Sequence, residues 1–148
     1  HEYVHRSNID AIMMQYNMLD NRPEELFPMI AKNKISVLAR GPLAKGILSS
    51  QAKEQIKKKA AHGYLSYDQS ALEDFIASIN KFDTSLTTIA LQYVLEEALV
   101  ASAVFGASSL SQLKENVFLF QEASIDKQIY HTIKKQQKQL SYDQHRIR

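Results

Sequence analysis

Three short apolar runs constrain this fold more than anything else in the chain. They are Ala11-Ile12-Met13-Met14-Gln15-Tyr16, Ile35-Ser36-Val37-Leu38-Ala39 and Val100 to Phe105. Each has the length of a strand, and the first is apolar at nearly every position. A run apolar on both faces suits a parallel strand with helices packed on it. The intervening segments carry helical stripes: Leu26, Phe27 and Ile30 in one, Leu86, Ile89, Ala90, Tyr93 and Val94 in another. Strands alternating with helices predict an α/β chain with a parallel sheet. Three such strands close a core poorly and leave bare outer edges. The start, His1-Glu2-Tyr3-Val4-His5, has no initiating Met. Both features are expected of part of a larger fold.

Local signals place the element ends. Pro23-Glu24-Glu25 opens a helix, with proline first and two acids in the first turn. Pro28 is expected to remove one backbone hydrogen bond and kink that helix. Asn33 is the expected left-handed cap. Residues 1–7 read as the end of a helix stopped by Ser7 and Asn8. Residues 51–83 read as a helical excursion. Its first helix, Gln51 to Ala61, carries Lys57, Lys58 and Lys59 as a solvated face. Its second starts at a capping box, Ser70-Ala71-Leu72-Glu73, and His62-Gly63 divides the two. Asp83, Thr84 and Ser85 each offer a cap for the helix before the third strand. Ser109 and Gln112 form another capping box, for a helix running through Val117, Phe118 and Phe120. Ser124 is the expected cap of a last helix bearing Ile125, Ile129 and Ile133. From Lys134 to Arg148 the chain is polar and basic and is expected to be a partly ordered tail.

Composition excludes several classes. A net charge of +2 over 148 residues gives no footprint for nucleic acid, and no aromatics interleave the lysines. No run approaches the roughly 18 apolar residues of a membrane span. Zero cysteines exclude disulfide and thiolate chemistry and fit a reducing compartment, so a cytoplasmic location is expected.

Two places invite a ligand. The loop Arg40-Gly41-Pro42-Leu43-Ala44-Lys45-Gly46-Ile47-Leu48 follows the second strand at once and carries two cations. α/β folds put ligand contacts at such strand ends, although a solvated connecting loop has the same composition. The capped helix start at Ser109 follows the third strand and presents the positive end of a helix dipole, which suits a phosphate. His1, Glu2 and His5 match H-E-x-x-H literally, the zinc-hydrolase spacing. No third ligand follows, and the solvent face of a helix end accounts for them equally, so no metal site is expected. No complete catalytic set is present.

Four segments then resemble one family. They are Ile12-Met13-Met14-Gln15-Tyr16-Asn17-Met18-Leu19, Val37 through Leu48, Thr87-Thr88-Ile89-Ala90-Leu91-Gln92-Tyr93-Val94-Leu95, and Val104-Phe105-Gly106-Ala107-Ser108-Ser109-Leu110-Ser111-Gln112-Leu113-Lys114-Glu115-Asn116. In this order and at these intervals they resemble the C-terminal half of an aldo-keto reductase. The resemblance implies a partial (β/α)8 barrel, a TIM-barrel fragment holding strands six to eight, with residues 1–148 as the C-terminal half of one domain. The excursion at 51–83 then falls in the loop after strand seven, and the helix at 124–139 is the added C-terminal one, with 124–148 as helix and tail.

The resemblance also implies a cofactor, NADPH with NADH as the rival, and a parent oxidoreductase reducing aldehydes or ketones. Gln15 matches the glutamine that bonds the nicotinamide carboxamide. Arg40 stands where an aromatic usually stacks on that ring, and a planar guanidinium can also stack. Gly41, Leu43 and Lys45 match the pyrophosphate loop. Gly106, Ala107, Ser108 and Ser109 match the turn around the adenosine 2′-phosphate. Gln112 stands where an arginine often sits, and Glu115 and Asn116 match the adenine pair. The catalytic Asp, Tyr, Lys and His of the family lie in the other half, so no catalytic residue is assigned here and the chain alone is expected to be inactive. The other reading is a non-catalytic nucleotide-binding or regulatory half-barrel. No nucleic-acid or membrane partner is expected, whereas self-association is.

Overall fold

The computed structural model describes residue 4 and residues 8–122 and 124–142. The three apolar runs form β1 (Ala11–Gln15), β2 (Ser36–Arg40) and β3 (Val100–Val104). They pair in parallel in the order β1-β2-β3, with Gln15 opposite Arg40 and Arg40 opposite Val104. The C-terminal ends of all three strands are therefore level. The register shifts between Val37 and Leu38 on the β3 side.

Helices cover one face of the sheet. Val37 and Ala39 of the central strand are fully buried, and Met14 joins them. The neighbouring Met13 points the other way and is 53% exposed, as the two-residue period of a strand requires. An apolar run was expected along β1, and helices take up only half of it.

β1 crosses to β2 through a 3-10 turn (Arg22–Leu26) and helix α1 (Phe27–Lys32). Pro28 falls in the first turn of α1, where its missing N–H has no partner to lose. The break comes before it, at the change from 3-10 to α geometry, so the expected kink is a junction. The cap also differs from expectation. Asn33 keeps negative φ, and Lys34 is the left-handed residue, at φ 57°. Lys34 N–H donates to Ala31 O and Ile35 N–H to Ile30 O, at 3.0 and 3.1 Å. That double closure is a Schellman motif with Ile30 and Ile35 buried together at its end. Apolar burial at Ile35 outweighs asparagine's ease in the left-handed region.

The long β2–β3 connection holds a 3-10 turn (Ala44–Gly46), α2 (Ala52–Lys59), α3 (Gln69–Ile79) and the crossover helix α4 (Leu86–Leu95). Of the three candidate residues Ser85 caps α4, accepting from Thr88 N–H at 3.1 Å. Asp68, two residues before the expected Ser70, caps α3 and accepts from Ala71 N–H at 2.8 Å. A tight turn with paired Tyr64 and Tyr67 backbones ends just before Asp68 and sets the helix start there.

Helix α5 (Leu110–Glu122) follows β3, and α6 (Lys127–Gln136) follows α5. Asp126, not Ser124, caps α6 and accepts from Gln128 N–H at 2.7 Å. Residues 137–142 correct the expected tail, because they are bonded across the molecule. Gln137 Nε2 donates to Met18 O at 2.8 Å, Lys138 N–H to the Tyr67 hydroxyl at 2.8 Å, and Leu140 N–H to Asn21 Oδ1 at 3.1 Å. The expected helix end at 1–7, apart from Val4, and the tail beyond 142 lie outside the described residues.

Candidate functional site

The loop after β2 is tied to both neighbouring strand ends. Gly41, at φ 68°, donates its N–H to Val104 O at 3.1 Å, and Asn17 Nδ2 donates to Gly41 O at 3.0 Å. The chain then turns through three successive left-handed residues, Ala44, Lys45 and Gly46, at φ 45°, 61° and 91°. Two of the three carry a Cβ, so this turn is held against a local cost. Its support is α2: Lys59 Nζ donates to Lys45 O at 2.9 Å, and a Cβ on Gly46 would sit 3.2 Å from Gln55 Cγ.

Across from this loop lies the β3–α5 turn. Ser109 Oγ accepts from Gln112 N–H at 3.1 Å, the serine half of the expected capping box. The glutamine half differs. Gln112 Oε1 reaches Ser108, accepting from its N–H at 2.8 Å and its hydroxyl at 3.1 Å. The side chain reaches one residue further back than in a standard box, past the Ser109 cap to Ser108.

Between loop and turn is a cavity of about 470 Å³. Gly41, Leu43, Lys45 and Gly46 form one wall, Gln51, Gln55 and Lys59 the second, and Gly106, Ala107, Ser108 and Gln112 the third. A smaller cleft of about 100 Å³ shares Ser49, Gln51, Ser108 and Gln112 with it and continues past Ser109, Glu115, Asn116 and Thr87. Every expected cofactor position except Gln15 and Arg40 lines one of the two spaces. A Cβ on Gly106 would meet nothing within 4 Å, so that wall opens onto free space. Among the described residues, Asn116 Nδ2 on the small cleft and Gln55 Oε1 on the large cavity are buried with no hydrogen-bond partner. Orphaned buried groups are costly, and a ligand supplying hydrogen bonds relieves them.

Gln15 and Arg40 sit together at the strand ends because the register pairs them. Arg40 Nη2 lies 3.4 Å from Gln15 Oε1, a long contact, and Arg40 is exposed. On its other side Gln15 Nε2 donates to Asp20 Oδ2 at 2.8 Å and to the Tyr64 hydroxyl at 3.1 Å. Asp20 is fully buried and takes two charge-assisted bonds from Arg22, from Nε and Nη2, both at 2.7 Å. That pairing pushes the Arg22 pKa up, chiefly through the hydrogen bond to Asp20. Burial pushes the Tyr64 phenol up, with a hydrogen bond from Asn17 acting against it.

The sequence marks Lys59 as part of a solvated face and gives Tyr64, Gln51 and Gln55 no role. Tyr64 joins the excursion to the end of β1 and Lys59 joins it to the β2 loop, and no local pattern encodes either contact. Among the described residues no three His, Asp or Glu side chains gather as a metal site. His1, Glu2 and His5 lie outside them. No described helix is long and apolar enough to cross a membrane.

The sequence model of the Aldo/keto reductase family matches residues 3–138. The chain is 39% identical, over 98% of its length, to the uncharacterized oxidoreductase YqkF of Bacillus subtilis (strain 168), and spans 48% of that protein. It is 26% identical to the NADH-specific methylglyoxal reductase of Escherichia coli (strain K12), over 78% of this chain and 38% of that one. Among solved structures it resembles the aldo-keto reductase AKR11C1 from Bacillus halodurans. The holo form superposes with a TM-score of 0.88 at 40% identity, covering 99% of this chain and 49% of that one. The apo form superposes at 0.87. The chain therefore spans about half the length of YqkF and AKR11C1, and its three parallel strands and flanking helices are part of a (β/α)8 barrel. The chain belongs to the aldo/keto reductase family.

Proposed function

We propose that this chain is the cofactor-binding, C-terminal half of a nicotinamide-dependent carbonyl reductase. The observation that carries the reading is the pair of adjoining clefts between the β2 loop and the α5 start, with Asn116 Nδ2 and Gln55 Oε1 unpartnered on their walls. An elongated ligand with a polar heterocycle, hydroxyls and phosphates fits such a lining. Asn116 donates to an adenine acceptor, and Glu115 lies beside it. Ser108 and Ser109, at the positive end of α5, face the ribose and its phosphate. Lys45 and Lys59 supply positive charge to the pyrophosphate across the loop. Gln15 and Arg40, level at the strand ends, take the nicotinamide end.

When bound, the dihydronicotinamide supplies the hydride that reduces an aldehyde or ketone carbon. This chain's residues hold and orient the cofactor. The proton donor to the carbonyl oxygen comes from the other half of the barrel, and the 148 residues alone bind without turning over. NADPH is our reading of the cofactor, on the family resemblance. Gln112 offers a neutral amide at the expected 2′-phosphate position, which leaves NADH the competing coenzyme. The test is calorimetric titration of the chain with NADPH and NADH, with aldehyde-dependent loss of absorbance at 340 nm followed for the chain and for a complete barrel carrying it. Binding by both with turnover only by the barrel supports the reading. No binding by either, or turnover by the chain alone, overturns it.

A further inference from the structure

The half-buried Gln15 amide at the end of β1 has one acceptor left over, and its geometry specifies what can meet it. Asp20 is fully buried and engaged with Arg22 on both oxygens. A carboxylate only accepts, so the Gln15 amide must turn its nitrogen toward Asp20. The second Nε2 hydrogen goes to the Tyr64 hydroxyl. Both donors of the amide are thus used inside the protein. Among the described residues its oxygen has only the long contact with Arg40 Nη2 at 3.4 Å.

Tyr64 is not placed there by chance packing. It lies in the turn between α2 and α3. Tyr64 N–H donates to Tyr67 O at 2.8 Å and Tyr67 N–H returns to Tyr64 O at 3.0 Å. Gly63 precedes it at φ 93°, where a Cβ would come 2.4 Å from Tyr67 O. Lys138 N–H holds the Tyr67 hydroxyl from the C-terminal segment. The excursion is thereby anchored at both ends of this turn, and one buried phenol reaches the strand end.

We propose that Tyr64 is a positioning residue for the nicotinamide end of the cofactor: with Asp20 it locks the Gln15 amide so that Oε1 accepts from a carboxamide N–H. The assignment rests on the nucleotide reading above and goes beyond it, because it makes the excursion part of the recognition of one group on the ligand.

The experiment titrates the protein with two probes, NADPH and 2′-phospho-ADP-ribose, which lacks the nicotinamide ring. Tyr64→Phe keeps the ring and deletes the hydroxyl. The expected result is NADPH binding weakened on the order of fivefold with 2′-phospho-ADP-ribose binding unchanged, the scale of one hydrogen bond. Gln15→Leu should cost NADPH at least as much, and the double substitution should cost no more than Gln15→Leu alone, since Tyr64 acts through Gln15. Equal weakening of both probes, or additive effects of the two substitutions, overturns the assignment. If the unsubstituted protein binds neither probe, the same comparison is made with NADH and ADP-ribose, and binding of none of the four means that the nucleotide reading itself fails. That result is separable from binding of both probes with their ratio unmoved by Tyr64→Phe, which overturns the Tyr64 role alone.

Discussion

The Lys134 ammonium lies against the Glu24 carboxylate, joining α6 to the turn after β1 across 110 residues of chain. The same ammonium is within 5.8, 5.7 and 5.5 Å of the ring centres of Tyr16, Tyr93 and Tyr130. Both charged side chains are about a quarter exposed, at 24% and 26%, so solvent screens part of their attraction. Lys134→Met keeps the stem packed and removes the charge. We expect it to lower stability by about 1 kcal/mol, from lost cation–π and ion-pair attraction. Urea unfolding should show a lower midpoint at unchanged slope. An unchanged midpoint would show that the Lys134 charge does not help hold α6 in place.

The tyrosine cluster under Lys134 predicts an alkaline limit. Burial is the largest cause raising Tyr16, Tyr93 and Tyr130, and nearby Glu24 adds to it at all three. Tyr130 is pushed up to about 12. A phenol with a raised folded pKa favours the fold while it is neutral. Its contribution is complete below the unfolded value of about 10 and is lost as pH rises through the folded one. These groups therefore leave stability level up to about pH 9 and make it fall steadily above pH 10. Thermal melts from pH 7 to 11, with native phenolate absorbance at 295 nm, measure both halves. Full tyrosine ionisation in the folded protein by pH 10.5 would contradict this.

Gly63→Ala should be among the most damaging small changes. The residue is left-handed, and the new methyl would meet a backbone oxygen at 2.4 Å, which only a shift of the turn relieves. We expect a loss of about 2 kcal/mol or more by chemical denaturation. Alanine at Gly106, where a Cβ meets nothing within 4 Å, is the control and should cost well under half as much.

Gln112→Arg tests the phosphate end. The glutamine oxygen is spent on Ser108, and the position borders both clefts. A guanidinium there should raise the preference for NADPH over NADH roughly tenfold, with most of the gain lost at high salt. A preference that does not move in titrations of the two coenzymes would place the 2′-position elsewhere.

The chain expressed alone should self-associate. Among the described residues β1 and β3 pair on one side only, and Met13, Leu110 and Phe118 are 53%, 67% and 61% exposed. Open edges and apolar patches of this kind attract further copies. Sedimentation velocity across a concentration series should show species heavier than one chain. A clean monomer at all concentrations would refute it.

What could be read from residues alone is what short-range physics controls. The three strands, the helical excursion, the Ser85 and Ser109 caps and the parallel order follow from periodicity and from side chains bonding three residues away. The family resemblance of four motifs picks out Gly41, Leu43, Lys45, Gly106, Ala107, Ser108, Ser109, Gln112, Glu115 and Asn116, and these positions line two adjoining clefts. Where a cap was misplaced, at Lys34, Asp68 and Asp126, the chosen residue was chemically suitable, and burial of Ile35 or a neighbouring turn moved the boundary. The clasp of Lys134 on Glu24, the bonded segment from Gln137 to Tyr142, and the lock of Tyr64 and Asp20 on Gln15 had no sequence signal. Each is a polar contact between segments far apart in the chain, and its partner is chosen by how the helices stack on the sheet. The sequence by itself determined which elements form and in what order. Only tertiary packing decided which side chains meet, because buried polar groups must find partners wherever the fold brings them.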